Sequence, residues 1–315
     1  MIASTDRASL LEQLFRDQRK TLWALAYRLT GSHEDAEDVV QEAFVRLLRD
    51  PPGAPPEELG RWLARVATNL GIDALRRRRR RRYVGPWLPS PAPATEDAAL
   101  ESLAGTSSDP ERRYALAESA TLAFLLALET LSPRQRAALL LRDVLGCSAL
   151  ETAERLGTTE GSVRVLHLRA RRALAPYDEA RSVPTAELRA LHAETLARML
   201  SCLLAQDAAG LEALFTEAIE TRTDSAGEYT AVAAPMIGRH RVARLYLVAA
   251  RNRQQAGART ELVTVNGLPA ALITLARPAR RQAPRTLIQI EIDAAGRIRR
   301  IHTVLASRKL TLVNE

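Results

Sequence analysis

Two cysteines, Cys147 and Cys202, are all that the 315 residues contain, one in each half of the chain. With no Cys-x-x-Cys pair and no Cys/His ligand spacing, a disulfide framework and a structural zinc site are excluded, and neither metal nor cofactor is expected. Lysine is nearly missing too, with Lys20 and Lys309 alone. The positive charge, 45 basic against 37 acidic residues for a net +8, is therefore almost wholly guanidinium. Guanidinium suits bidentate contacts with phosphate and guanine edges, but GC-rich coding gives the same bias, so the placement of the arginines says more than their number. No run of about 18 apolar residues occurs, which excludes a membrane-spanning helix. The N-terminal MIASTDRASLLEQLFRDQRK carries charges where a signal peptide needs an apolar stretch, so a cytoplasmic protein without membrane attachment is expected. There is no internal repeat.

What is present is length for two or three domains and, at 46% hydrophobic content, a core for each. Three helical patterns fill the first domain (1–82): about 9–29, 33–49 and 59–82, separated by Gly31 and the Pro51–Pro56 cluster. A Pro-, Ala-, Ser- and Asp-rich stretch (83–110) reads as a linker, followed by a second helical domain (111–176) and a short linker (177–187). In the third domain (188–315), helices are expected at 186–204 and 211–217. Beyond Ala218 the segments AIETRT, ELVTVNG, AALITLA, TLIQIEID and IRRIHTVLA read as strands of an antiparallel curved sheet, interrupted by a helix at 239–254.

The second domain carries the most informative stretch, Leu131 to Leu174. Ser148 to Leu156 reads as a helix with the small Ala153 at a close crossing, Gly157-Thr158-Thr159 as a turn, and a second helix begins near Glu160. Successive residues on a helix are about 100° apart, which puts Val163, Leu166, His167, Ala170 and Leu174 on one side. Gly161, Arg164, Val165, Leu168, Arg169 and Arg172 fall on the other. That pattern is a helix-turn-helix with an outward basic face fit for a major groove; a helical hairpin with a solvated basic face has the same periodicity.

In the first domain, Ser32 reads as an N-cap, and Ala36, Val39, Val40, Ala43, Phe44 and Leu47 keep the helical period. The opposite face bears Asp38, Gln41 and Glu42, with Glu34 and Asp35 near the start. Acids there suit solvent and the helix dipole, but an acidic patch in a basic protein also suits a protein partner. The third helix holds Trp62, Arg65, Asn69, Asp73, Arg76 and Arg77 and runs into seven consecutive arginines, Arg76–Arg82, which read as a phosphate-binding segment.

Three stretches, FRDQRKTLWALAYRLTGSHEDAEDVVQEAFVRLLR, RWLARVATNLGIDALRRRRRRRYVGPWLP and LSPRQRAALLLRDVLGCSALETAERLGTTEGSVRVLHLRARRAL, resemble regions 2 and 4 of bacterial extracytoplasmic-function sigma factors of the sigma-70 family. The resemblance implies two all-α domains, a region 2 helical bundle and a region 4 helix-turn-helix. It implies core RNA polymerase and promoter DNA as partners, with Asp35, Asp38, Gln41 and Glu42 docking on the largest subunit. It also implies that the loop 50–60 and the helix bearing Trp62, Arg65, Asn69, Asp73, Arg76 and Arg77 capture and melt the −10 element. Arg164, Val165, Leu168, Arg169 and Arg172 would then read the −35 element.

The segment Tyr83–Pro89, YVGPWLP, is too aromatic for a plain spacer and resembles the linker motif of a subgroup with a C-terminal SnoaL-like domain, an α+β cone. Asn266–Ala270 fits that subgroup, and Asp224–Glu228 and Ala306–Leu310 fit in part. The resemblance implies that the third domain tunes sigma activity, with Trp87, Leu88 and Pro89 at an interdomain contact. Because cones of this kind also serve enzymes, a fused ligand-sensing or catalytic domain is the alternative, with His240, Asp224, Glu261 and His302 as acid-base candidates. They form no recognisable catalytic spacing, so no catalytic residue is expected, while a small-molecule ligand of the cone stays open. A dimeric helix-turn-helix repressor would leave the acidic helix and the Trp62–Arg82 segment without a role.

Overall fold

The computed structural model describes residues 4–53, 55–81, 83–92, 119, 121–180 and 185–313. Contacts divide the chain into two units, Met1–Arg81 with Thr95–Ser182, and Arg82–Ala94 with Val183–Glu315. The spacer expected over 83–110 is thus not one element: residues 83–92 group with the C-terminal part, and 93–110 lie outside the described residues, as do the expected domain start at 111 and Pro184.

The first unit begins with α1 (Ser4–Thr30), α2 (His33–Arg49) and α3 (Leu59–Arg80). Ser32 caps α2 by accepting from the Asp35 N–H, as its sequence indicates. The apolar stripe of α2 is buried from Ala36 to Leu47 against α1 and α3. Where α3 crosses α1 the packing is tight: a Cβ on Gly71 would stand 2.5 Å from a Leu29 methyl, so a larger residue there would force Leu29 to move. The helical part continues with α4 (Leu122–Ala127), α5 (Pro133–Leu139), extended by a π turn at Leu140–Val144, α6 (Ala149–Leu156) and α7 (Glu160–Ala180).

Sequence chemistry dictates these boundaries. Ser132 with Gln135, and Ser148 with Glu151, form reciprocal capping boxes at the starts of α5 and α6. Gly157 closes α6 in the left-handed conformation, φ 58°, which a residue with a Cβ rarely adopts. The last helix runs to Ala180, through Pro176 and past the expected boundary at 176. Pro176 is exposed, so its missing N–H leaves a helix carbonyl open to water.

The second unit contains α8 (Ala186–Ala205), α9 (Ala208–Ala213), β1 (Phe215–Asp224), β2 (Met236–Ile237), α10 (Arg239–Gln255), β3 (Ala258–Val265), β4 (Leu268–Leu275), β5 (Arg285–Ile292) and β6 (Ile298–Val304). Two expectations are corrected. The helix placed at 211–217 stops at Ala213, because Phe215 and Ile219 turn into the core as strand residues. The sheet is mixed, in order β2-β1-β6-β5-β4-β3: β1 runs parallel to β6, and the other pairs are antiparallel. The parallel pair is possible because α10 and four strands separate β1 from β6 in the chain.

The concave interior is filled. Leu196, Met199 and Leu203 of α8 and Val242, Ala243 and Tyr246 of α10 pack on Ile273, Ile288, Ile290 and Ile301 of the sheet. Tyr246 brings the polar end of this core, and its hydroxyl is matched by Thr221 Oγ1 at 2.8 Å and Thr303 Oγ1 at 2.7 Å. No helix among the described residues is long and apolar enough to cross a membrane.

Candidate nucleic-acid interface

The basic face of α7 is arranged as its periodicity requires. Val163, Ala170 and Leu174 are buried, Leu166 and His167 half-buried, and Arg164, Val165, Leu168, Arg169 and Arg172 all exposed. Two apolar side chains in the row, Val165 and Leu168, are about half exposed (48% and 51%), which solvent alone does not favour. Thr159 accepts from the Ser162 N–H at the helix start, and His167 Nε2 meets Asp143 Oδ1 at 2.6 Å, fixing α7 on the π turn that extends α5. Arg164 is held by Glu160 at 2.8 Å, an exposed pair worth about half a kcal/mol that a phosphate readily replaces.

On α3, Arg65, Asn69, Asp73, Arg76 and Arg77 are exposed and Trp62 is half-buried. Arg76 pairs with Asp73 at 3.0 Å. Trp62 and Arg65 line a cavity of about 280 Å³ with Glu58, Arg61 and, from α6, Glu151, Glu154 and Arg155. The first helical module and the helix-turn-helix therefore meet across the surface assigned to the −10 element.

The arginine run is divided in its tasks, which the sequence reading as a phosphate-binding segment missed. Arg78 donates to the Thr30 carbonyl at 2.5 Å and to both Glu129 oxygens at 2.6 and 2.7 Å, and Arg79 donates to the Leu131 carbonyl. Arg136, 1% exposed, reaches Glu129 Oε1 at 2.5 Å. Burial works against the Glu129 charge, but Arg136 and Arg78 outweigh it and hold its carboxyl below the usual carboxylate range. The same burial pulls Arg136 down to about 10. One carboxylate thus ties α3 to α5. No run of like charges signals this, since Glu129 lies about 50 residues away.

The acidic face of α2 is partly engaged within its own module. Asp38 and Gln41 are exposed and Asp35 and Glu42 half-buried, with Glu42 bound to Arg46 at 2.9 Å and the neighbouring Glu37 to Arg19 at 3.1 Å.

In the second unit, residues 83–92 are held by a set of polar contacts. Asp224, fully buried, accepts from the Tyr83 hydroxyl at 2.6 Å, the Leu88 N–H at 2.8 Å and Lys309 Nζ at 2.7 Å. Lys309 also reaches the Leu88 carbonyl and stands 4.4 Å above the Trp87 ring. Asn266 exchanges two hydrogen bonds with the Ala92 backbone and, with Gly267, makes the tight β3–β4 turn at φ 53° and 74°. Leu88 and Pro89 are buried and Trp87 half-buried. Asp224 is thus a strap anchor rather than an acid-base group, and the scarcity of lysine was the signal for Lys309.

The remaining acid-base candidates stand apart. His240 pairs with Glu212 on the surface, Glu261 with Arg259, and His302 Nε2 with Glu291 Oε1 at 2.7 Å. Burial would raise Glu291, but His302 and Arg300 bring it down to about 2. Neither these three candidates nor Asp224 lines the cavity of about 520 Å³ beside the β4–β5 loop.

The family models for Sigma-70 region 2 and Sigma-70, region 4 match residues 14–81 and 121–174. The chain is 34% identical over 235 residues to the ECF RNA polymerase sigma factor SigJ of Mycobacterium tuberculosis, covering 74% of this chain and 71% of SigJ. It is 36% identical over 188 residues to SigE of Mycolicibacterium smegmatis, with 59% and 68% covered. The crystal structure of M. tuberculosis SigJ superposes with a TM-score of 0.69 at 29% identity over 95% of this chain and 98% of that one. With both sigma modules in order and the likeness running on through the C-terminal α+β domain, the chain belongs to the extracytoplasmic-function sigma factors, non-enzymatic DNA-binding proteins that join core RNA polymerase to direct promoter recognition and transcription initiation.

Proposed function

We propose that the exposed row Arg164, Val165, Leu168, Arg169 and Arg172 reads the −35 element, that Trp62, Arg65, Asn69, Asp73, Arg76 and Arg77 serve the −10 element, and that Asp35, Asp38, Gln41 and Glu42 dock on core polymerase. The observation that carries this reading is the two-sidedness of α7: every residue of the row is exposed while Val163, Ala170 and Leu174 beneath it are buried. Such a protein works in the cytoplasm. The C-terminal domain regulates, through its hold on residues 83–92, which connect the two sigma modules, and it takes a small-molecule ligand.

In vitro transcription with purified core polymerase tests the reading. The full chain is compared with Arg164→Ala/Arg169→Ala and with Lys309→Met, which loosens the strap without touching either DNA-facing row. The first variant should lose −35-dependent initiation; the second should change output at an unchanged −35 preference. Activity unchanged by both would overturn the reading.

A further inference from the structure

A cavity of about 520 Å³ in the C-terminal domain lies where the last turn of α10 meets the β4–β5 loop. Four arginines line it, Arg253, Arg277, Arg280 and Arg281, together with Thr230, Asn252, Gln255, Gln282 and Thr286, and no carboxylate does. In a chain with 37 acidic residues, the arginines of the α3–α5 contact and of the β1 and β6 strands do have carboxylate neighbours. Arg253 is half-buried and has no ion-pair partner among the described residues. A guanidinium removed from water without a counter-charge is costly, and its proton affinity is lowered by that burial. Ala256, Ala283 and Leu305 give the cavity an apolar floor.

The loop that presents three of the arginines is fixed. Arg277 donates its N–H to the Ala256 carbonyl at the end of α10, at 3.0 Å, and Leu275 donates to Pro284 at 2.8 Å. Gln282 closes a turn onto Ala279 through both backbone and side chain, each at 2.9 Å. The Arg281 carbonyl accepts from the Thr230 N–H at 2.9 Å, and Arg281 itself holds a left-handed φ of 63°, a conformation that is strained for a side chain of this kind. A surface loop that only had to keep charge in water would need none of these ties.

We infer that this cavity is a binding site for a small phosphorylated molecule of about nucleotide size, its phosphates held by Arg253 and the Arg277, Arg280 and Arg281 loop. Two or more anionic groups match four guanidiniums, each able to hold phosphate in a bidentate fork, and Asn252, Gln255 and Gln282 offer amides to a ring or sugar. The volume lies within the range of small-molecule pockets. The inference rests on the reading that the C-terminal domain takes a ligand, and names its class.

The test is calorimetric titration of the full-length protein with pyrophosphate, ADP and adenosine, with a short duplex DNA as the nucleic-acid arm. ADP and pyrophosphate should bind saturably at one site and raise Tm, while adenosine should not. Arg277→Gln/Arg280→Gln, on the exposed loop, should weaken both by about tenfold or more and reduce the salt dependence. Arg198→Gln, an exposed arginine on α8 outside the cavity, should leave them unchanged. Arg253→Met should abolish binding, and if that variant proves misfolded the loop variant still decides. No saturable binding of either anion, or equal loss with Arg198→Gln, overturns the site. So does duplex DNA whose binding falls with the loop variant while the small anions bind nowhere. Binding with unaltered transcription sustains the site and removes only its regulatory use.

Discussion

Asp224 and Lys309 form the ion pair that holds residues 83–92. The carboxylate is fully buried, and each of its oxygens is committed to residues 83–92, to Lys309 or to the Ala226 N–H at 3.1 Å. Asp224→Ala strands a buried ammonium and should cost about 3 to 5 kcal/mol, read by urea unfolding followed at Trp87. A loss under 1 kcal/mol would mean that water replaces the carboxylate. Acid should act on the same domain through other groups. His192, buried on α8, is pushed down to about 4 by burial, with Glu291 pulling the other way and Arg299 adding to the fall. The unfolded chain, with an ordinary histidine near 6.5, binds the proton first as pH drops, so stability is full above about 6.5 and declines toward 4. Glu291 adds a second loss between about 4.3 and 2. Amide-exchange protection factors in β5 and β6, corrected for the intrinsic pH dependence of exchange, should fall from pH 7 to pH 5, and His192→Phe should flatten that slope.

At the level of elements, α2 and α7 each show one apolar and one working face, and the predictions belong to those faces. Asp38→Arg/Glu42→Arg should weaken co-purification with core polymerase while altering Tm little, because both residues lie away from Val39, Val40 and Phe44. Arg169→Ala should cost about 1 to 3 kcal/mol and relax the preference at one base pair if it reads a base; a uniform loss with a flatter salt slope would assign it to phosphate. These faces were legible because a period of 3.6 survives in any helix that buries one side, and the caps at Ser32 and Ser148 are local chemistry. What the sequence could not yield is nonlocal. Glu129 joins Arg78 and Arg136 across unrelated stretches, and the parallel β1–β6 pairing depends on a register that no turn residue encodes. Residues 83–92 carry aromatics that betray packing, but not the partner, which emerges only when Asp224 at the end of β1, Asn266 in the β3–β4 turn and Lys309 after β6 converge. The short α9 failed for a related reason: Leu211 to Glu217 has helical composition, yet sheet pairing at Phe215 overrides it.

For the whole molecule, the cavity shared by α3 and α6 has a thermodynamic meaning. Glu151 and Glu154 share the walls with Arg61 and Arg65, so under the proposed −10 role of Trp62 a DNA strand reaching it along this side would have to displace α6. Promoter and α6 would then be competing ligands for one surface, and the apparent promoter affinity would equal the intrinsic affinity multiplied by the fraction of molecules in which α6 has moved away. If that fraction is about one in a hundred, the free protein binds promoter a hundredfold more weakly than it could, with every contact residue intact. Polymerase, by holding the two modules apart, would restore the missing factor without touching a base, and promoter would by reciprocity tighten the hold on polymerase. The protein would thus be silent on DNA until it has a polymerase to speak for.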